Sequence, residues 1–325
     1  MTRTILYNWG IIGCGKIAHK FAEDITVIPN ARLSAVASRD LEKAKKFAHI
    51  YNAHSYYGSY QELAEDPQID IVYIATPHVF HYENTIMCLR LKKAVLCEKP
   101  FAMNKNQVQK MIKVAKDNSI FLMEALWTYF LPHYQFVLKM IQTNELGDVK
   151  KMKADFGFAS TYDPENRVFN KRLGGGSLLD VGIYPLFTTL TLLGYPNKIE
   201  ANANFNENGI DENCTMLLTY KNNIQASLYS SITKKTDTEA FIELEKGTIT
   251  IHSRFHEPSS VSIRKDGVSE LYEFPVMTNG YSFEAIHVQE MLALGNTEST
   301  IMTFDKSLKL IQLLDTIRDK INLQY

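Results

Sequence analysis

Between residues 5 and 124 the chain alternates short β-branched apolar runs with segments of helical periodicity, a pattern few architectures accept. The runs are "ILYNWGIIG" (5–13), "ARLSAVAS" (31–38), "IDIVYIAT" (69–76), "AVLCE" (94–98) and "IFLME" (120–124). Between the first two, Ile17, Phe21 and Ile25 recur at a spacing of four, which places them on one helical face. "LEKAKKFAHIY", "HYENTIMCLRL" and "NQVQKMIKVAKDN" read as the following helices. The run 69–76 is almost wholly apolar, as a strand must be when helices cover both faces of a parallel sheet. Alternation at this pace predicts a doubly wound, parallel α/β sheet.

At the first strand–helix junction stands Gly13-Cys14-Gly15-Lys16-Ile17-Ala18, matching G-x-G-x-x-G/A. The first glycine permits a tight turn, the second lets a pyrophosphate approach the backbone, and Ala18 lets the helix pack close to the sheet. The helix then offers its first N–H groups to the anion. Position after a strand and before an amphipathic helix makes this a dinucleotide-binding turn rather than a bare glycine loop. Cys14 reads as a small filler. Where the second strand ends, a nicotinamide enzyme using NAD places an acidic side chain for the adenosine ribose. Here Ser38 and Arg39 hold that place, with Lys43 a helical turn further on. A hydroxyl and a guanidinium suit a ribose 2′-phosphate, so the expected cofactor is NADP, with NAD as the alternative. The competing reading makes Arg39 a solvated loop residue and Asp40 a helix N-cap.

Beyond residue 124 the pattern changes. "TYFLPHYQFVLKMIQT" reads as a helix entered through Pro132, and 148–158 as a strand. Period-two runs follow at 214–220, 224–231, 239–245, 247–253 and 259–265, and two helices close the chain. These predict a second, α+β domain over 125–325 with an open, mainly antiparallel sheet. The 325 residues carry 35 basic and 36 acidic side chains, net charge −1, which argues against nucleic acid or an anionic membrane as the main partner. No apolar run reaches the ~18 residues of a membrane span, and "MTRTILYNWG" lacks the layout of a secretory leader. Four scattered cysteines without a C-x-x-C point to a reducing, cytoplasmic setting.

Three segments, "VLCEKP" (95–100), "FLMEALWTYFLP" (121–132) and "LGGGSLLDVGIYP" (173–185), together with the glycine turn, resemble the Gfo/Idh/MocA oxidoreductase family along the whole chain. Within it the likeness is to the branch of the dimeric dihydrodiol and NADP-dependent D-xylose dehydrogenases. The resemblance implies a Rossmann domain over 1–124, a substrate-binding and dimerisation domain over 125–325, and an active site at the carboxyl ends of the parallel strands. It implies a homodimer or higher homo-oligomer through the open sheet, and a sugar, polyol or diol substrate.

The same resemblance assigns Lys99, Asp180 and Tyr184 to catalysis and puts Glu98 on the cofactor side, with the peptide bond before Pro100 cis. Thr76, Pro77, His78 and His81 would line the nicotinamide. Asp180 and Tyr184 stand four apart, on one face of a helix; many relatives have histidine where Tyr184 stands. A phenol titrates near pH ~10, so the expectation is that Lys99 stabilises the phenolate of Tyr184, making it the general acid/base, while Asp180 orients a hydroxyl. On the residues alone Tyr184 reads as an aromatic packing residue ahead of Pro185. Trp127, Phe158 and Arg167 are the expected substrate contacts; for Trp127 a core position, and for Arg167 a mobile-loop position, compete. His78 and His81 lack a third ligand at a metal-site spacing, so no metal is expected. Two other functions fit the same fold: a glycoside hydrolase that uses NAD transiently, and a non-catalytic dinucleotide sensor.

Overall fold

The structure is a computed structural model that describes residues 5–325; the first four residues, part of the leader argument, lie outside the described residues. It comprises two compact units, one built from the chain up to Trp127 together with Met277–Leu308, the other from Thr128–Val276 and Lys309–Tyr325.

In the first unit β1 (Tyr7–Ile12), β2 (Ala31–Ala37), β3 (Ser55–Tyr57), β4 (Ile71–Ile74), β5 (Ala94–Glu98) and β6 (Leu122–Ala125) form a sheet ordered β3-β2-β1-β4-β5-β6. Every pairing is parallel, as the alternation predicts. Helices α1 (Lys16–Ile25), α2 (Leu41–Tyr51), α3 (Tyr60–Glu65), α4 (His81–Arg90) and α5 (Lys105–Asn118) make the crossovers. β3 and α3 escape the sequence pattern because three and six residues are too few to display a period. Strand order reverses between β1 and β4, the place where open α/β sheets bind ligands. Beneath it Phe21 of α1 stacks on Tyr73 of β4 with centroids 3.7 Å apart and meets Trp9 of β1 edge-on at 5.4 Å. All three rings are buried.

In the second unit α6 (Pro132–Thr143) begins with proline at its first position, where no N–H is needed. Eight strands follow: β7 (Val149–Gly157), β8 (Lys198–Phe205), β9 (Asp211–Thr219), β10 (Gln225–Ser231), β11 (Ala240–Leu244), β12 (Gly247–Ile251), β13 (Val261–Lys265) and β14 (Val268–Tyr272). They lie in the order β14-β13-β12-β11-β7-β10-β9-β8, antiparallel except for β7 with β10. The edge strands β8 and β14 are absent from the period-two runs: β14 is exposed along most of its length, whereas β8 (KIEANANF) does alternate, with small alanines on its apolar side. One face is covered by α7 (Ile183–Leu193), which packs on β7 and β10. There Met152, Ala154 and Phe156 of β7 are buried, while Lys151 and Lys153 project from the other face. Residues 171–193 have the length and apolarity of a membrane span, yet 78% of the qualifying window is buried, as in a core segment.

A single boundary near residue 124 describes the order of the sequence and not the packing. Helix α8 (Ser282–Ala293) belongs to the first unit. It is tied there by Asp24, a buried carboxylate at the end of α1 that accepts from Asn279 N (2.8 Å), Asn279 Nδ2 (3.0 Å) and Ser282 N (3.0 Å). Leu122 N also donates to Thr297 O, which covers the outer edge of β6. Helix α9 (Phe304–Lys320) completes the chain's regular structure.

Candidate active site

The glycine turn is built by close approach. Gly13 has φ +94°, donates its N–H to Ala37 O (2.9 Å), and a Cβ there would lie 2.9 Å from Ala75 O. A side chain would therefore force β1 away from the β4 exit. Gly15 is different: the nearest atom to its would-be Cβ is Ala75 O at 4.0 Å, so its outer side is open. Side chains of Asp40, Ser59 and Asn104 cap α2, α3 and α5, but none caps α1, whose first turn also lacks an acid. The N–H groups at the start of α1 thus fit a pyrophosphate. Cys14 is buried with Sγ 3.7 Å from Ala37 O, and burial pushes its thiol up to about 11, in keeping with a filler. Lys16 is exposed and Ile17 half-buried beside it.

At the β2 exit, Ser38 is buried and its Oγ accepts from Asp40 N (3.2 Å). Asp40 caps α2 by accepting from Lys43 N at 3.1 Å, which takes this acid into helix capping. Arg39 is exposed, with its guanidinium 5.5 Å from the Phe80 ring centroid; the side chain of Lys43 is exposed as well. The exposed cations Arg39 and Lys43, with Asp40 engaged in capping, suit a phosphate better than a ribose diol.

The β4, β5 and β6 exits are cross-linked. Both ring nitrogens of His81 face backbone carbonyls, Thr76 O at 2.9 Å and Pro100 O at 2.8 Å, so His81 joins the two exits. Thr76 Oγ1 accepts from Asn84 Nδ2 (3.2 Å), and Pro77 introduces the tight turn His78–Phe80. The His78 and His81 rings lie 6.3 Å apart, nearly perpendicular. The Lys99–Pro100 bond is cis, as the resemblance implies. Glu98 turns inward, accepting from Tyr73 Oη and, at 3.2 Å, from Lys99 N. Two further buried carboxyls stand close by. Burial raises Glu124 to about 7 despite the Ser307 hydroxyl and the Phe101 N–H, which donates at 3.0 Å. Burial, with Glu98 and Asp24 adding repulsion, holds Glu284 far above the carboxylate range. Trp127 is buried and stacked on Tyr281 (4.2 Å, 12°), a partner that no local pattern announces.

In the second unit Asp180 and Tyr184 do not share a regular helix. Leu178–Gly182 is a π-helical turn carrying Asp180, and Tyr184 lies in the first turn of α7. Wider turns of this kind are frequent at functional sites. Asp180 Oδ1 is paired with Arg167 at 2.8 Å, so these two expected site residues meet each other. Phe158 packs instead with Val168, Phe169, Ile210 and Ile232. The aromatic neighbours of Tyr184 are Phe156 (5.6 Å) and His256 (4.8 Å), and these two rings stack at 4.1 Å. His256, missed in the sequence, lies in the loop after β12 and is fixed by Thr128 Oγ1, which donates to its carbonyl at 2.7 Å.

A parallel sheet in the order 3-2-1-4-5-6, opened at its switch point by an uncapped glycine-turn helix, defines a dinucleotide-binding α/β enzyme. Comparison with known proteins narrows this. Residues 7–126 match the oxidoreductase family described as an NAD-binding Rossmann fold, and 134–250 match the GFO/IDH/MocA C-terminal domain. The chain belongs to the Gfo/Idh/MocA family and is an NAD(P)-dependent oxidoreductase. It is 37% identical to a trans-1,2-dihydrobenzene-1,2-diol dehydrogenase of Xenopus tropicalis, over 98% of this chain and 99% of that one. The protein so named in Homo sapiens is 34% identical, over 98% of each chain. Among solved structures, an aldose-aldose oxidoreductase from Caulobacter crescentus has a TM-score of 0.89 at 24% identity, covering 98% of both chains. A 3-ketoreductase from Actinomadura kijaniata, in complex with NADP and TDP-benzene, has a TM-score of 0.88 at 23% identity, over 97% of this chain and 98% of that one. At such identities the likeness is one of fold.

Proposed function

We propose that the chain is an NADP(H)-dependent dehydrogenase acting on a vicinal diol or sugar hydroxyl. The observation that carries this reading is the full-length likeness, 33–37% identical, to dehydrogenases named for a cyclic vicinal diol. The positive β2 exit supports NADP over NAD: Arg39 is exposed, while Asp40 is occupied in capping α2.

Bound NADP⁺ supplies the hydride acceptor. The chain's own part is to take the alcohol proton, and Tyr184 Oη is the proposed acceptor, with Lys99 the cation that the family resemblance assigns to the same reaction. Phe156 and His256, stacked on each other, pack together against the Tyr184 ring and restrict it, so the hydroxyl is presented with less conformational freedom to lose. Asp180, held by Arg167, orients a substrate hydroxyl. A homodimer through the open face of the eight-stranded sheet and a cytoplasmic location belong to the same reading. Four buried, unbridged cysteines are compatible with the latter.

Turnover of a panel of trans-diols, aldoses and polyols with NADP⁺ and NAD⁺ in parallel tests the assignment. Oxidation of at least one cyclic diol or aldose, faster with NADP⁺, is expected; preference for NAD⁺ would refute the reading of Arg39. Tyr184→Phe should lower kcat by roughly 10²–10⁴ while NADPH still binds. Near-normal turnover in that variant would remove Tyr184 from the mechanism.

A further inference from the structure

One buried acid of the second unit is unused by the chemistry above. Asp211, the first residue of β9, is fully buried, and its Oδ2 accepts from Leu178 N (2.7 Å) and Ser177 Oγ (3.0 Å). Leu178 N is the first amide of the π-helical turn that carries Asp180 and runs on into Tyr184. Ser177 Oγ also reaches Ser230 Oγ of β10 at 3.0 Å, so two neighbouring strands grip the start of this segment. The preceding glycines are shaped around the grip. Gly176 has φ +124°, and a Cβ on it would collide with Asp211 Oδ1. Tyr325 Oη donates to Gly175 O at 2.8 Å on the other side.

A carboxylate held only by neutral donors is costly to bury, and burial accordingly raises Asp211 to about 7. An uncharged acceptor of the same shape would avoid much of that cost, whereas an apolar residue would strip two donors of their partner. The acceptor itself is therefore what the position requires. Ser177 itself provides no side-chain cap to the π-helical turn.

We propose that Asp211 is a positioning residue for the reaction: its carboxyl oxygen anchors the start of the 178–193 segment and so fixes where Tyr184 stands. The proposal rests on the reading of Tyr184 above. Misplacing a proton-transfer group by an ångström costs about 10²-fold in rate without touching the cofactor.

The test is a set of variants assayed with the best substrate from the panel above. Asp211→Ala should lower kcat by roughly 10–10², with the Kd for NADPH unchanged. Asp211→Asn keeps an acceptor, its amide oxygen taking the place of Oδ2, and should restore kcat to within about three-fold of wild type. The double variant Asp211→Ala/Tyr184→Phe should be no slower than Tyr184→Phe alone, because a residue that acts through Tyr184 has nothing left to position. Wild-type kcat in Asp211→Ala, equal losses in the alanine and asparagine variants, or additive losses in the double variant would each overturn the proposal. If Tyr184→Phe alone keeps full turnover, the reading of Tyr184 has failed first, and the positioning proposal falls with it. Should Asp211→Ala not fold, Ser177→Ala removes one donor and leaves the carboxyl. It should lower kcat about three- to ten-fold, again with no further loss on Tyr184→Phe; an unchanged kcat overturns the proposal.

Discussion

Glu124→Gln turns the buried carboxyls of the first unit into a measurable quantity. Glu124 lies on β6 opposite Cys97 of β5, almost fully buried, with Oε1 accepting from Phe101 N at 3.0 Å. Burial lifts its carboxyl from 4.5 to about 7, against the opposing pull of Ser307, Phe101 and Lys99. The sign follows from proton counting. Below pH ~4.5 both folded and unfolded chains hold this proton. Between there and about 7 only the folded chain does, so stability falls as pH rises; above about 7 the loss is complete. The interval corresponds to roughly 3 kcal/mol at most. Glutamine keeps the acceptor for Phe101 N and has nothing to titrate. The variant should therefore gain on wild type by roughly 3 kcal/mol between pH 4.5 and pH 8. Asp211 and Glu284 titrate in both proteins and cancel from the difference. The assay is urea unfolding followed by tryptophan fluorescence, because the chain's two tryptophans, Trp9 and Trp127, both lie in this unit. A stability difference that stays constant across this pH range would refute the reasoning.

Two further variants probe the cofactor corner. Arg39→Ala should raise KM for NADP⁺ roughly 10- to 100-fold, the worth of a charge-assisted phosphate contact, while KM for NAD⁺ moves little; steady-state kinetics with both cofactors would decide it. Gly13→Ala puts a methyl 2.9 Å from Ala75 O at a φ of +94°. A left-handed alanine alone costs roughly 1–2 kcal/mol, so lower thermal stability together with loss of NADPH fluorescence enhancement is expected.

Most of the first unit was legible because its signals are local. Gly13 and Gly15 are read from spacing, and β1, β2, β4, β5 and β6 from runs long enough to show their character. Lys99, at the β5 exit, is placed by a tripeptide, and the pairing of Asp40 with Lys43 N by simple capping rules. The pattern failed where partners are distant in the chain. Tyr281 behind Trp127, Asn279 on Asp24, His256 beside Tyr184 and Asp211 under Leu178 are contacts between segments far apart in sequence. Phe158 packs against Val168, Phe169, Ile210 and Ile232, whereas Phe156, two residues earlier, meets Tyr184. Strand alternation makes that difference, since residues two apart share a face only while the strand continues, and β7 ends at Gly157.

The sequence by itself determined the parallel architecture, the glycine turn and the family, because each is encoded in short-range spacing of glycine, apolar and charged residues. Only the tertiary structure decided what those residues face. It turned Glu98 inward onto Tyr73, paired Arg167 with Asp180, moved residues 277–308 into the first unit, and widened the Asp180–Tyr184 segment into a π-helical turn. The reason is physical: a buried carboxylate or backbone amide must find a partner wherever the fold brings one. Which segment supplies it is settled by packing, after the local pattern has been spent.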